Sequence, residues 1–142
     1  MKWRIIVVGK PALDYARRGV AEYEKRLKRY APCEIVFLRD ADEARLSKAA
    51  EGCFRIVLDE RGEALTTEAF RQQIDGWELE GTLKSIAILI GGADGHSDAM
   101  RQSADLCLGL SAFTLQHELA LVVVLEQLYR VYTIKRGEPY HR

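Results

Sequence analysis

Side chains and backbone able to do chemistry gather in two places: a glycine-rich turn, Gly91-Gly92-Ala93-Asp94-Gly95, and a C-terminal stretch, Lys135-Arg136-Gly137-Glu138-Pro139-Tyr140-His141-Arg142. Glycine accepts positive φ and lets a backbone come close to a ligand, so Gly91, Gly92 and Gly95 suit a turn that holds a small molecule by its main chain. An ordinary tight strand-to-helix turn has the same spacing. The tail concentrates cations, a phenol and an imidazole, groups that hold phosphate, stack on a base or move a proton, at a place where chains also fray. Elsewhere the inventory is thin. His96, His117 and His141 lack metal-ligand spacing, so no metal is expected, and no serine sits in a nucleophile elbow. Cys33, Cys53 and Cys107 form no CxxC pair, as expected of reduced thiols in a cytoplasmic protein. The glycine turn lacks the GxGxxG form of a dinucleotide site.

The elements that must position these groups follow from hydrophobic pattern. Ile86 to Ile90 is an unbroken apolar run leading into the glycine turn, which fits a central parallel strand covered on both faces. Ligands of open α/β sheets bind at the carboxyl ends of such strands. Trp3–Val8, Cys33–Leu38, Phe54–Leu58 and Leu106–Leu108 read as further strands. Leu58-Asp59-Glu60-Arg61-Gly62 then forms a second polar turn at a strand's carboxyl end, able to line the same cleft. Between strands lie a helix capped by Asp14 and closed at Ala31-Pro32, a short helix over Asp40–Glu51, one capped by Thr66 or Thr67 and running to Gly81, and one capped by Ser97. From about His117 to Ile134 the chain is apolar nearly all round, and the Glu126/Arg130 spacing favours a helix. Such a helix must be covered on nearly all sides, and a second copy of the chain is one natural cover.

At 142 residues the chain is one domain by length, able to bury about 68–70% of its unfolded surface. Its formal net charge is zero, so no global field marks it for nucleic acid or a membrane. Local patches differ. Arg17, Arg18, Lys25, Arg26, Lys28 and Arg29 make the first helix basic, a solvated face or an RNA-backbone contact, whereas seven acids and two bases lie between Asp59 and Glu80. No apolar run is long enough to span a bilayer. The fold class is therefore α/β, with about five strands in a mostly parallel sheet flanked by helices.

Four segments in fixed order carry a resemblance: Leu58-Asp59-Glu60-Arg61-Gly62; Ile90-Gly91-Gly92-Ala93-Asp94-Gly95; Leu110-Ser111-Ala112-Phe113-Thr114-Leu115-Gln116-His117; and Leu125-Glu126-Gln127-Leu128-Tyr129-Arg130 with the terminal Pro139-Tyr140-His141-Arg142. Together they resemble the SPOUT-class methyltransferases that modify a pseudouridine of large-subunit ribosomal RNA. The resemblance implies a single SPOUT domain over residues 1–142 with a C-terminal trefoil knot, S-adenosylmethionine as methyl donor, a homodimer, and methylation of pseudouridine N3 in helix 69 of 23S ribosomal RNA within the ribosome. It places cofactor contacts at Leu58, Gly91, Leu110, Ser111, Ala112, Phe113, Thr114 and Leu115, and the target RNA at Glu126, Arg130 and the tail; the chemistry of Tyr140, His141 and Arg142 suits them to catalysis there. His141 would take the N3 proton, Arg142 would hold phosphate or developing charge, and Tyr140 would stack on the base. Departures from the family stand at Gln116 (often proline), Leu121 (often arginine) and His96 (commonly apolar). Two rival readings are a non-catalytic ribosome-binding module and a nicotinamide-dependent oxidoreductase.

Overall fold

The structure, a computed structural model, describes residues 1–40 and 42–142. Strands and helices alternate along the chain: β1 (Lys2–Val8), α1 (Asp14–Leu27), β2 (Cys33–Leu38), α2 (Glu43–Ala49), β3 (Phe54–Ala64), α3 (Thr67–Glu80), β4 (Ser85–Ile90), α4 (Asp98–Gln102), β5 (Leu106–Gly109) and α5 (His117–Lys135). The strands form one sheet in the order β2-β1-β4-β3-β5, and each neighbouring pair is parallel.

Both faces of this sheet are covered, which explains the apolar runs without polar alternation. Side chains alternate across a strand, so Ile5, Val7, Ile56, Ile86, Ile88 and Ile90 point to one face. There they meet Val20 and Leu27 of α1, Phe70 and Ile74 of α3, and Leu121, Leu125 and Leu128 of α5. The interleaved Ile6, Val57, Ala87 and Leu89 point to the other, against Leu46 and Ala50 beside α2 and Met100 of α4. The first face is the heavier because α5 lies across it. Leu121, Leu125, Leu128 and Val131 of that helix are fully buried. The Trp3 indole at the sheet's amino edge donates to the Tyr132 hydroxyl at 2.8 Å, so its one polar atom is satisfied within the core.

Several boundaries differ from the pattern-based expectation. Asp14 is the first helical residue of α1, not its cap; Leu13 takes that position without a side-chain bond. The work falls instead to Glu118 of α5, whose Oε1 accepts the backbone N–H groups of Ala12 and, at 3.0 Å, Leu13. The same helix ends at Leu27, before Ala31-Pro32. Asp42 caps a shorter second helix, accepting from the N–H groups of Ala44 and Arg45. Thr66 and Ser97 cap α3 and α4 as expected. Finally, the segment Asp59–Gly62 is not a turn that ends β3. The strand continues to Ala64, with both Leu58 and Glu63 paired to Leu108, so the polar residues between them bulge from the carboxyl edge.

Candidate functional site

That bulge forms one wall of a cleft at the carboxyl edge. The glycine turn after β4 forms its floor, and the loop between β5 and α5 forms the other wall. The cleft holds about 230 Å³ and is lined by Leu58 to Arg61, Ile90 to His96, Leu110, Ser111, Phe113 to Leu115, His117 and Ala120. Of the eight residues assigned to the cofactor, Leu58, Gly91, Leu110, Ser111, Phe113, Thr114 and Leu115 therefore converge here from three separate segments. Ala112 is exposed on the same loop and does not line it. Small-molecule sites usually enclose roughly 300–1,000 Å³, so this cleft lies just under that range.

The turn owes its shape to two different demands on glycine. Only Gly95 takes positive φ, at 73°; the expectation that Gly91 and Gly92 share it is corrected. Gly91 is glycine for space, since a Cβ there would stand 2.9 Å from the carbonyl carbon and oxygen of Gly95. The Gly95 N–H donates to Gly92 O at 3.0 Å, closing the turn on itself. Buried His96 bonds the Leu89 carbonyl through Nε2 at 3.0 Å; a carbonyl only accepts, so Nε2 carries the hydrogen. Burial lowers the His96 pKa from its usual value, only partly opposed by this bond and by Asp59. Arg101 of α4 then donates to the His96 carbonyl at 2.6 Å and pairs with Asp59 at 3.3 Å. Across the mouth, the Thr114 hydroxyl donates to Glu60 at 2.8 Å, joining the two walls.

At the start of α5, Gln116 accepts the N–H groups of Glu118 and Leu119 through its side chain, a cap that the family's proline would not supply. Glu118 is buried, and bonds from the Leu13 N–H first, then Ala12, hold its carboxyl below the usual carboxylate range. Leu121 is fully buried in the core cluster, so in this chain that position serves packing, not a phosphate.

The tail lies elsewhere. It is tied to α1 through Tyr23 and to the second half of α5 through Glu126 and Arg130. Glu126 Oε1 accepts from Arg130 Nε at 3.0 Å and from the Tyr140 hydroxyl at 3.1 Å. The Tyr140 ring sits under the Arg130 guanidinium at 4.8 Å and edge-on to Tyr129, and its hydroxyl lies 3.3 Å from that of Tyr23. Burial, then the Tyr23 bond and the Glu126 charge, raise its pKa well above the ordinary phenol value. Arg130 Nη1 is 3.1 Å from His141 Nδ1; a guanidinium only donates, so Nδ1 accepts. Glu126, Arg130, Tyr140 and His141 are thus brought together, but not to the cleft. On α5 the last cleft-lining residue is Ala120, and Glu126 and Arg130 lie six and ten residues beyond it, a rise of about 9 to 15 Å at roughly 1.5 Å per residue. Sequence reading missed Glu118, Tyr23 and Arg101, whose partners are remote in the chain and leave no local spacing signal.

A parallel sheet covered on both faces, with a glycine-floored cleft at its carboxyl edge, defines an α/β protein built to hold a small ligand there. The family described as predicted SPOUT methyltransferase matches residues 1–141. The ribosomal RNA large subunit methyltransferase H of Thermus thermophilus is 53% identical over 142 residues, covering 100% of this chain and 99% of that protein. Among solved structures, a probable methyltransferase from Bordetella pertussis superposes with a TM-score of 0.64 at 14% identity, over 92% of this chain and 96% of that one. A Legionella pneumophila protein solved in complex with the bound cofactor SAM gives 0.54 at 12% identity, over 92% and 66%. These two share the fold. The chain belongs to the SPOUT methyltransferase family and, within it, to the ribosomal RNA large subunit methyltransferase H family.

Proposed function

We propose that this chain transfers the methyl group of S-adenosylmethionine to N3 of a pseudouridine in helix 69 of 23S ribosomal RNA, as a homodimer whose two active sites each join the cleft of one subunit to the tail of the other. The chain is an S-adenosylmethionine-dependent methyltransferase by family; the relatives its sequence matches over its whole length are named for methylating large-subunit ribosomal RNA, which supports that RNA as the target. In this reading residues 1–142 act as one SPOUT domain in the cytosol, where ribosomal RNA is. Among the described residues no helix is long and apolar enough to cross a membrane. The trefoil knot belongs to the same proposal. What supports it is the strand order, which sets β3 between β4 and β5, so that the chain leaving β4 must pass the β3 bulge to reach β5.

The observation that carries this reading is the division of the chemical groups: a glycine-floored cleft at the start of α5, and a cation–phenol–imidazole cluster on its second half, about 9 to 15 Å further along the helix. Neither half suffices alone. In the cleft, Leu58, Gly91 and the Leu110–Leu115 loop would hold the donor. Transfer is an in-line displacement: N3 forms a bond to the methyl carbon as the carbon–sulfur bond breaks, S-adenosylhomocysteine leaves, and the N3 proton passes to a base or to solvent. Alignment is the larger share of such catalysis. From the tail, Tyr140 offers a ring already oriented by Arg130 and Tyr129 and Arg142 a cation for phosphate; the acceptor nitrogen of His141 is engaged by Arg130, so His141 takes the N3 proton only when that bond is released. Glu126 and Arg130 would frame the RNA loop.

Labelled methyl should enter large-subunit RNA that carries pseudouridine at the target and should not enter RNA carrying plain uridine there. In a thermal-shift series, S-adenosylmethionine and S-adenosylhomocysteine should raise the midpoint and NAD should not. RNA binding indifferent to the donor, without label, would return the protein to a docking module.

A further inference from the structure

We propose that Arg101, which lies on α4 and does not line the cleft, is the positioning residue that sets the floor of the cleft against its wall and thereby tunes affinity for the methyl donor. This rests on the cleft being the donor site.

The side chains of Arg101 and Asp59 are only 16% and 7% exposed, so Asp59 in particular is withdrawn from water and its charge is offset by Arg101. Asp59 is a wall residue on the β3 bulge, and its Oδ1 also accepts the Arg61 N–H at 2.9 Å, shaping the bulge itself. The guanidinium donates from the same Nη1 to the carbonyl of His96, the residue that leaves the glycine turn. Its other end, Nη2, pairs with Asp98 on the exposed side of α4. A planar fork that cannot lose its proton is suited to holding several acceptors at once.

The two cleft segments so joined have no strand pairing to each other at these positions, because β3 and β4 pair only from Phe54/Ile86 to Leu58/Ile90. Beyond Leu58 and Ile90 their relative placement depends on side chains. The turn is internally closed by the Gly95–Gly92 bond and by His96 reaching back to Leu89, so it moves as a unit, and Arg101 is the tether that anchors this unit to the wall. Main-chain recognition tolerates little displacement, since the donors and acceptors are fixed to the backbone. Loss of the tether should therefore cost binding before it costs chemistry.

The test uses full-length Arg101→Met, which keeps the aliphatic stem, and Arg101→Lys, which keeps the charge but not the fork. Calorimetric titration with S-adenosylhomocysteine should show affinity lowered by about tenfold in the first and by less in the second, the scale of one lost buried charge contact. In steady state KM for the donor should rise with kcat nearly retained, the signature of lost ground-state binding. Amide exchange at Gly95 and Arg61 should quicken in the ligand-free variant. Unchanged affinity in folded Arg101→Met, with a parent that binds, overturns the inference. If the parent itself binds no S-adenosylhomocysteine, the donor reading fails, and exchange decides alone: faster exchange leaves Arg101 ordering the turn for another ligand, unchanged exchange rejects it. Should Arg101→Met fail to fold, the Lys variant carries the same comparison.

Discussion

Gly91 and Gly95 pack backbone to backbone: a Cβ on Gly91 would lie 2.9 Å from the Gly95 carbonyl, closer than real Cβ atoms approach. Gly91→Val should therefore push Gly95 aside and open the cleft floor. Overpacking of this kind costs about 1–3 kcal/mol, against a total stability of about 5–15 kcal/mol, so the variant should stay folded. Its circular dichroism should match the parent while S-adenosylhomocysteine binding disappears in calorimetry. Parental affinity would mean that the turn is only structural.

The tail makes its contacts with Tyr23, Glu126 and Arg130, none of which lines the cleft. Deleting Tyr140 to Arg142 should leave donor affinity within about twofold of the parent, because the donor contacts lie in the cleft and the tail serves the RNA, and should abolish methyl transfer. Turnover that survives the deletion would demote the tail to a surface ornament of α5.

Mixing the two defects tests the composite site. Subunits carrying Gly91→Val, combined with subunits lacking Tyr140 to Arg142, should regain activity as mixed dimers, because one of the two composite sites receives an intact cleft and an intact tail. Neither parent homodimer should turn over. Verified mixed dimers of folded subunits that remain inactive would show that each chain closes its own site.

His96 supplies a pH prediction. Burial lowers its pKa below the usual 6.5, so the unfolded chain binds the proton more readily than the folded one. Its contribution to stability is complete above about pH 6.5 and is lost as pH falls from there toward its folded value. Asp59 and Arg101 are the charged groups that act on it. The carboxylates Glu34, Glu68 and Glu118, whose pKa values are depressed, stabilise the fold when ionised and lose that contribution in a lower window, as pH falls through the ordinary carboxylate range toward their folded values. Denaturation midpoints of the parent should fall as pH drops below about 6.5, and His96→Leu, the apolar type common in the family, should flatten that segment. A parallel decline in both proteins would assign it to other groups.

The strands, their parallel sense and the two-sided burial of β4 were legible in the chain, because alternation and apolar runs are local properties of strands that must be covered. The cleft was legible in part for the same reason: Leu58 and Gly91 stand at carboxyl ends of strands, and sheet geometry brings such ends to one edge. The helix-cap errors at Asp14 and the β3 bulge had a common source. Local pattern cannot register that Glu118 will satisfy the start of α1 from 105 residues away, or that Leu108 will pair with both Leu58 and Glu63. Nor could it say that the glycines of one turn serve different ends, one for φ and one for space. The placement of the tail was beyond it altogether. Tyr23 meets Tyr140 across 117 residues and Arg101 meets Asp59 across 42; such pairs are chosen by how the sheet and α5 pack, since burial forces each polar group to find whichever partner the fold delivers.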